Sequence, residues 1–207
     1  MSQVPTIECR KDGPYRVGDL ELLRDAQGER IAVEGVVALC RCGGSKKKPF
    51  CDGTHKTNGF SSERIADGGE DRRQSYRGRR ITIHDNRAIC SHAGLCTDKL
   101  AAVFKFGKEP WIDPAGADVD AIVAAVRRCP SGALGYALEG VEAKDPQRAP
   151  SITVTRNGPY AVEGGVRLAD QHAGEGASSE HYTLCRCGGS KRKPFCDGTH
   201  WSIGFKG

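Results

Sequence analysis

The chain of 207 residues has no long hydrophobic run and is poor in apolar side chains overall. Apolar residues make up 38% of the sequence, while glycine occurs 27 times and proline 10 times. The longest apolar stretch is the interrupted IAVEGVVALC at 31–40, far short of the roughly 18 residues that a membrane-spanning helix needs. This composition excludes one large packed core and favours small domains that bound cofactors help to stabilise.

The motifs of several enzyme classes are also absent from the sequence. It contains no GxGxxG fingerprint after a strand, no P-loop and no nucleophile elbow, so we expect no catalytic site of its own. The net charge is only +5, and the lysines and arginines are interleaved with 26 acidic residues. This distribution of charge does not favour nucleic-acid binding. The N-terminal residues lack signal-peptide features, so we expect a cytoplasmic protein with no membrane association. In a reducing compartment, 10 cysteines indicate metal or iron–sulfur ligation rather than disulfides.

The chain repeats itself at a constant offset of 145 residues. Residues 39–55 read LCRCGGSKKKPFCDGTH and residues 184–200 read LCRCGGSKRKPFCDGTH, so only Lys47 and Arg192 differ. The similarity extends upstream to a Gly-Pro-Tyr turn that follows a short alternating run, the pattern of a β-strand and turn. The sequence therefore predicts a duplicated, β-rich module with other residues inserted between its copies.

The segment between the copies has a different sequence pattern. It contains a strand candidate at RRITIHD and apolar residues at helical spacing from Val119 to Val126. We therefore expect an α+β protein of small, cofactor-stabilised domains. The expected boundaries are a first module at 1–60, a charged linker at 61–77, a middle domain at 78–138, a linker at 139–150 and a second module at 151–207.

Each copy of the motif contains three cysteines and one histidine. The candidate ligands are Cys40, Cys42, Cys51 and His55, and then Cys185, Cys187, Cys196 and His200. Three cysteines and one histidine also make a zinc set, but zinc fingers usually separate paired cysteines by two to four residues, whereas here one intervenes. Spacing favours an iron–sulfur cluster and leaves zinc as the alternative. Asp52 and Asp197 could each cap a short helix that places Cys and His on one face.

The motif CRCGGSxxxPFCDGTH resembles the CDGSH iron–sulfur domain family, with Thr54 and Thr199 in place of the serine. The resemblance implies one 2Fe–2S cluster per motif. In each, the C-x-C cysteines would hold one iron, and the third cysteine and the histidine would hold the outer iron. Single-motif members of the family form dimers, so the resemblance implies that the two copies pair within one chain as an intramolecular pseudo-dimer, leaving the protein a monomer.

The mixed ligand set has chemical consequences. A neutral imidazole in place of a thiolate makes a cluster less negative and should raise its reduction potential. Because the imidazole must be deprotonated to bind, mild acid should loosen the outer iron. Four lysines near the motifs add a positive field, which serves either partner docking or ordinary solvation. These are Lys46, Lys48, Lys191 and Lys193.

The middle domain contains Cys90, Cys96 and Cys129, the last of them followed by proline. This pattern resembles the divergent single-cluster ferredoxins, in which C-x2-X-x2-C precedes a distant C-P. Position X is Ala93, which cannot ligate, so three thiolates fit a 3Fe–4S cluster most simply. His92 could supply a fourth ligand for a 4Fe–4S cluster, or could instead face solvent or support the ligands. Buried structural cysteines are the alternative to any cluster here.

The leading interpretation is an electron-transfer protein with two His-ligated 2Fe–2S centres and one central cluster. The alternative is iron–sulfur cluster storage or transfer, or redox and pH sensing. Either function implies a protein redox partner, such as a flavoenzyme, or an apo iron–sulfur acceptor. Of the other four cysteine and histidine residues, Cys9 is expected to be a structural thiol, and surface or hydrogen-bonding roles are expected of His84, His172 and His181.

Overall fold

The computed structural model describes residues 4–65 and 70–207, so residues 66–69 of the predicted first linker lie outside the described residues. The first module contains β1 (Thr6–Cys9), β2 (Tyr15–Gly18), β3 (Leu23–Arg24), β4 (Arg30–Ile31), β5 (Val37–Leu39) and a 3-10 turn at Thr54–Lys56. The middle domain contains β6 (Gln74–Arg77), β7 (Ile81–Asp85), α1 (Val119–Arg127), β8 (Leu134–Leu138) and β9 (Val141–Glu142). The second module contains β10 (Ser151–Val154), β11 (Tyr160–Glu163), β12 (Arg167–Leu168), β13 (His181–Leu184) and α2 (Thr199–Ser202). These are the elements of an α+β protein dominated by short strands.

The two modules exchange short strands. One sheet has the order β12-β1-β2-β5, and the other has the order β13-β11-β10-β3-β4. Strand β12 of the second module thus pairs in parallel with β1 of the first, where Thr6 faces Arg167. Conversely, β3 of the first module pairs in parallel with β10 of the second, where Leu23 faces Ile152. Each sheet is therefore completed by residues from the other copy.

A single hydrophobic core lies between the exchanged sheets, and its buried side chains come from both copies. They include Ile7, Tyr15, Val17, Leu23, Leu39, Ile152, Tyr160, Val162 and Leu184. The rings of Tyr15 and Tyr160 meet edge to face with centroids 6.0 Å apart. The Tyr15 hydroxyl lies 2.8 Å from the carbonyl oxygen of Cys185, and the Tyr160 hydroxyl lies 2.9 Å from that of Cys40. Each tyrosine thus donates to the backbone of the first cysteine in the opposite motif.

We expect Tyr160→Phe to lower the free energy of unfolding by about 1–3 kcal/mol, because the buried carbonyl of Cys40 loses its donor. Tyr136→Phe is the matched control, since Tyr136 is buried but its hydroxyl makes no hydrogen bond to the described residues. Urea unfolding followed by circular dichroism would compare the two variants. Equal losses from both would show that the contact between the modules contributes nothing measurable.

The middle domain has its own antiparallel sheet, in the order β6-β7-β8-β9. Helix α1 packs on β8 and buries Ile122, Ala125 and Val126, as the helical spacing predicts. The outermost strands β6 and β9 lie inside the two segments predicted as linkers. Their side chains are largely exposed and mostly polar, so these segments carry little of the apolar alternation that indicates a strand. Among the described residues, no helix has the length and apolar character to cross a membrane.

Strands β5 and β13 position the two motifs. Strand β5 ends at Leu39 and β13 ends at Leu184, so each places the first cysteine of its motif directly after a buried strand end. The chain then folds back, and the isolated bridges Leu39–Phe50 and Leu184–Phe195 return the third cysteine to the same place. The motif is thus a long loop whose two ends are fixed to one strand.

Candidate metal centres

In the first motif the predicted ligands form two pairs. The sulfur atoms of Cys40 and Cys42 are 3.9 Å apart, and the Cys51 sulfur lies 3.3 Å from Nδ1 of His55. The second motif repeats this arrangement, with 3.7 Å between the sulfur atoms of Cys185 and Cys187 and 3.4 Å from the Cys196 sulfur to Nδ1 of His200. Across residues 4–65 and 70–207, no three His, Cys, Asp or Glu side chains gather tightly enough to hold one ion. The donors are therefore arranged in pairs.

The two aspartates differ from their expected role as helix caps. Gly53 and Gly198 occupy the N-cap positions, with φ of 90° and 85°. Asp52 accepts hydrogen bonds from the Thr54 amide and hydroxyl, and its other oxygen accepts one from the Lys46 amide at 2.8 Å. These bonds hold the pKa of Asp52 well below its usual range. Asp197 makes the same bonds to Thr199 and Lys191, so both carboxylates brace the loop that carries the ligands.

The thiols are in unequal electrostatic environments. A hydrogen bond with Cys185 lowers the pKa of Cys187 to about 7, while the pKa of Cys185 is raised. Burial raises the pKa of Cys196 to about 12 and that of Cys90 to about 11. A metal that binds the buried thiols must therefore displace their protons, as expected where metal binding is coupled to folding.

The C-x-C-G loops of the two motifs touch each other. Gly43 and Gly188 have φ of 74° and 80°, a conformation that glycine adopts without strain. A Cβ atom on Gly43 would lie 2.4 Å from the carbonyl oxygen of Cys187, and one on Gly188 would lie 2.7 Å from that of Cys42. The glycine after each C-x-C pair is thus required because the opposite motif approaches its backbone.

The four lysines predicted near the motifs fall into two classes. Lys48 donates to the carbonyl oxygen of Ser45 at 2.7 Å, and Lys193 is buried. Lys46 and Lys191 are exposed. The inner lysines therefore belong to the fold of the loop, and the outer ones remain accessible at the surface.

The three central cysteines line one cavity of about 620 Å³. Ala93 lines the same cavity, and the amide of His92 donates to the Cys90 sulfur at 3.3 Å. The structure thus brings Cys90, Cys96 and Cys129 to one place, although the last two are far apart in sequence.

His92 lies between the central cavity and the second motif. Its side chain packs against Gly198, where an added Cβ would be 2.9 Å from the Cβ of His92. Its carbonyl oxygen accepts a hydrogen bond of 3.1 Å from the indole of Trp201. Nδ1 of His92 is 3.5 Å from the guanidinium of Arg87. Burial, and after it the Arg87 charge, lowers the pKa of His92, which favours the neutral ring.

His181 has a hydrogen-bonding role, one of the two expected of it, but the sequence did not indicate that its partner is a central cysteine. It is only 4% exposed, and its Nε2 lies 2.9 Å from the carbonyl oxygen of Cys129. Because a carbonyl can only accept, Nε2 carries the proton, and Nδ1 accepts from the Ser178 hydroxyl at 3.0 Å. Burial lowers the pKa of His181, in agreement with this neutral form. Strand β13 therefore connects the backbone of a central cysteine to Cys185.

The remaining cysteine and histidine residues have the structural or hydrogen-bonding roles expected of them. Cys9 is half-buried and packs against the shared core. Nδ1 of His84 lies 2.9 Å from the Ser75 hydroxyl, and Nδ1 of His172 accepts a hydrogen bond from the Gly174 amide.

Comparison with known proteins agrees with this organisation. A family described as iron-binding zinc finger, CDGSH type, matches residues 12–56 and 157–201. A family described as divergent 4Fe-4S mono-cluster matches residues 76–139. The protein named "Uncharacterized protein YjdI" from Escherichia coli K12 is 39% identical over 72 residues, which is 35% of this chain and 91% of that protein. The protein of the same name from Escherichia coli O157:H7 matches equally, and no solved structure matches.

The two family matches cover the duplicated motifs and the central cysteines. The chain therefore belongs to the CDGSH-type iron-binding family, with two such domains flanking a divergent 4Fe–4S mono-cluster domain, and it is an iron–sulfur protein.

Proposed function

We propose that this protein is an electron carrier with three centres, two His-ligated 2Fe–2S clusters and one central 3Fe–4S cluster. The observation that carries the proposal is the series of contacts that joins the three ligand sets. His181 connects the Cys129 backbone to the strand that ends beside Cys185. Gly43 in turn lies against the carbonyl of Cys187. These contacts place the three ligand sets close together in series, and short separations between centres favour electron transfer.

The donor atoms fit the proposed groups. Two pairs of donors in each motif suit a group with two metal ions better than a single tetrahedral zinc ion, which needs four donors around one point. The pairs would be Cys40 with Cys42 and Cys51 with His55, and likewise in the second motif. When bound, an iron–sulfur cluster supplies one-electron oxidation and reduction. The protein's own contribution is to hold the donors and to keep the two motifs in close contact at Gly43, where a side chain would clash with the carbonyl of Cys187.

The exchanged strands support an intramolecular pseudo-dimer. Two reciprocal features relate the copies, namely the tyrosine hydrogen bonds to Cys40 and Cys185 and the parallel strand pairs. We propose that this pairing replaces the dimer of single-motif family members and that the protein is a cytoplasmic monomer. Its redox partner would be a separate protein, such as a flavoenzyme.

For the central site we propose three thiolate ligands and a 3Fe–4S cluster. Ala93 lines the cavity where a fourth cysteine would be needed for a 4Fe–4S cluster. The His92 side chain packs against Gly198, which supports a role at the domain contact rather than as a ligand.

His92→Ala separates these two roles. We expect the variant to retain its full iron content and the electron paramagnetic resonance (EPR) signal of the central cluster, because the three thiolates remain. Trp201→Phe is the control, since it removes the hydrogen bond to the His92 carbonyl and leaves the imidazole in place. Loss of the central signal in His92→Ala but not in Trp201→Phe would identify His92 as a ligand and favour a 4Fe–4S cluster.

The proposal as a whole is tested by anaerobic purification with iron, sulfide and zinc quantitation and EPR spectroscopy. We expect about seven irons per chain, or about eight if the central cluster is 4Fe–4S. Stopped-flow reduction should show the central and outer centres exchanging electrons. A colourless protein with about three zinc ions would contradict the cluster assignment, and centres that never exchange electrons would contradict electron transfer.

A second candidate function is cluster storage or transfer, and one observation favours it. Cys51 and His55 are both only half-buried, so the outer ligand pair of the first motif is reachable from solvent. Incubation with an apo-ferredoxin would test it. Transfer of cluster within minutes would support this function, and a stable, fully loaded protein would leave electron transfer as the better account.

A further inference from the structure

The two motifs are nearly identical in sequence but lie in different surroundings. In the second motif Cys196 is 3% exposed and His200 is 4% exposed. The corresponding Cys51 and His55 of the first motif are only half-buried. Because the local loops have the same hydrogen bonds, the difference must come from what covers them.

The middle domain covers the second motif. The guanidinium of Arg192 donates to the carbonyl oxygen of Ala88, and the indole of Trp201 donates to that of His92. Among the described residues, no hydrogen bond or ion pair joins the first module, 4–60, to the middle domain, 78–138. The middle domain is therefore bound to one copy of the motif and leaves the other uncovered.

The contact residues of the second copy are positions at which the repeats differ. At the offset of 145 residues, Arg192 corresponds to Lys47 and Trp201 corresponds to Lys56. Lys47 and Lys56 are exposed, as is Lys46 beside them. The single difference within the seventeen-residue motif thus falls on a residue that binds the middle domain in one copy and faces solvent in the other. Arginine suits the first task because its planar guanidinium presents several donors in a fixed geometry.

We propose that the two motifs have separate roles: the second is an internal site covered by the middle domain, and the first carries the docking face for a separate protein. The partner would present an acidic surface, because the open face bears the ammonium groups of Lys46, Lys47 and Lys56. The middle domain prevents the same docking at the second motif. This inference rests on the proposed iron–sulfur function and adds which of the two sites meets the partner.

Iron release to a chelator tests the difference in exposure. We expect two phases of equal amplitude for the 2Fe–2S centres, with release from the first motif about tenfold faster because the second opens only when the middle domain moves away. Cys51→Ser should remove the fast phase and Cys196→Ser the slow phase, which assigns each phase to its motif. One common rate for both motifs would overturn the inference.

A matched pair of variants tests the contact itself. Arg192→Ala should accelerate the slow phase toward the fast one, whereas Lys47→Ala should leave both phases unchanged. Hydrogen exchange should show the same loss of protection at 88–92 and 198–201. If Arg192→Ala fails to fold, Arg192→Lys is the second variant. It is a milder change, because lysine is the residue at the corresponding position of the first copy. Equal effects of the Lys47 and Arg192 variants would contradict the separate roles.

Docking is tested with a short polyglutamate peptide as the acidic probe and carbodiimide cross-linking read by mass spectrometry. We expect cross-links at Lys46, Lys47 and Lys56, weakened by salt and by the double variant Lys46→Glu, Lys47→Glu. Cross-links spread evenly over the lysines of a fully loaded protein would overturn the inference alone. A protein without iron or visible absorption would instead contradict the proposed function.

Discussion

Gly43→Ala is expected to lower the free energy of unfolding by about 2–5 kcal/mol and to reduce cluster content in both motifs. The added methyl group would lie 2.4 Å from the carbonyl oxygen of Cys187. The alanine would also have to adopt a φ of 74°, a conformation that is strained for any residue other than glycine. The clash is with backbone next to a ligand of the opposite motif, so relief requires the two C-x-C loops to separate. The effect should therefore reach the second motif although the change is in the first.

Gly59→Ala is the control for this change. Gly59 has a similar φ of 71°, but nothing lies within 4 Å of an added Cβ. We expect this variant to lose only about 1 kcal/mol, the part that comes from backbone conformation. Denaturant unfolding and iron quantitation on both variants separate conformational strain from the clash. If the two variants lose the same free energy and retain the same iron, the close approach of the loops has no energetic importance.

Cys51→Ala should remove about two irons and two sulfides per chain and leave the second motif and the central site loaded. The Cys51 sulfur and Nδ1 of His55, 3.3 Å apart, form one of the two donor pairs of this motif, and the remaining pair cannot hold both irons alone. Because bound metal contributes to folding, the variant should also unfold more easily than the wild type.

The control for Cys51→Ala is Cys9→Ala, which removes a half-buried thiol of the same module that packs on the core. We expect full iron and sulfide content and a loss of about 1 kcal/mol from the smaller side chain. EPR and sulfide analysis of both proteins would measure how much cluster each variant retains. Full cluster content in Cys51→Ala would show that the donor pair is not a ligand pair.

The strongest predictions from sequence concern short-range features. The ligand spacing within each motif and helix α1 both follow from local patterns, since the backbone fixes residues a few positions apart relative to each other. The two family matches cover the duplicated motifs and the middle domain. Strands β6 and β9 were not predicted, because short edge strands with exposed and mostly polar side chains lack apolar alternation.

The contact residues were missed for a different reason. His181, Arg192 and Trp201 contact backbone carbonyls of the middle domain, and nothing in their local sequence marks them. A signal did exist in the repeat, because their counterparts at the offset of 145 residues are Val36, Lys47 and Lys56. Each is a departure between copies that are otherwise under the same local constraints.

The sequence by itself identified an iron–sulfur protein, because three cysteines and a histidine at fixed spacing, with two glycines after the C-x-C pair, can be recognised without knowing what surrounds them. Only the tertiary structure decided how the sites are related. Strand exchange joins the two modules, and the middle domain covers the second motif and leaves the first open. Those relations depend on contacts between residues more than 100 positions apart, such as Arg192 with Ala88, which local sequence patterns do not encode.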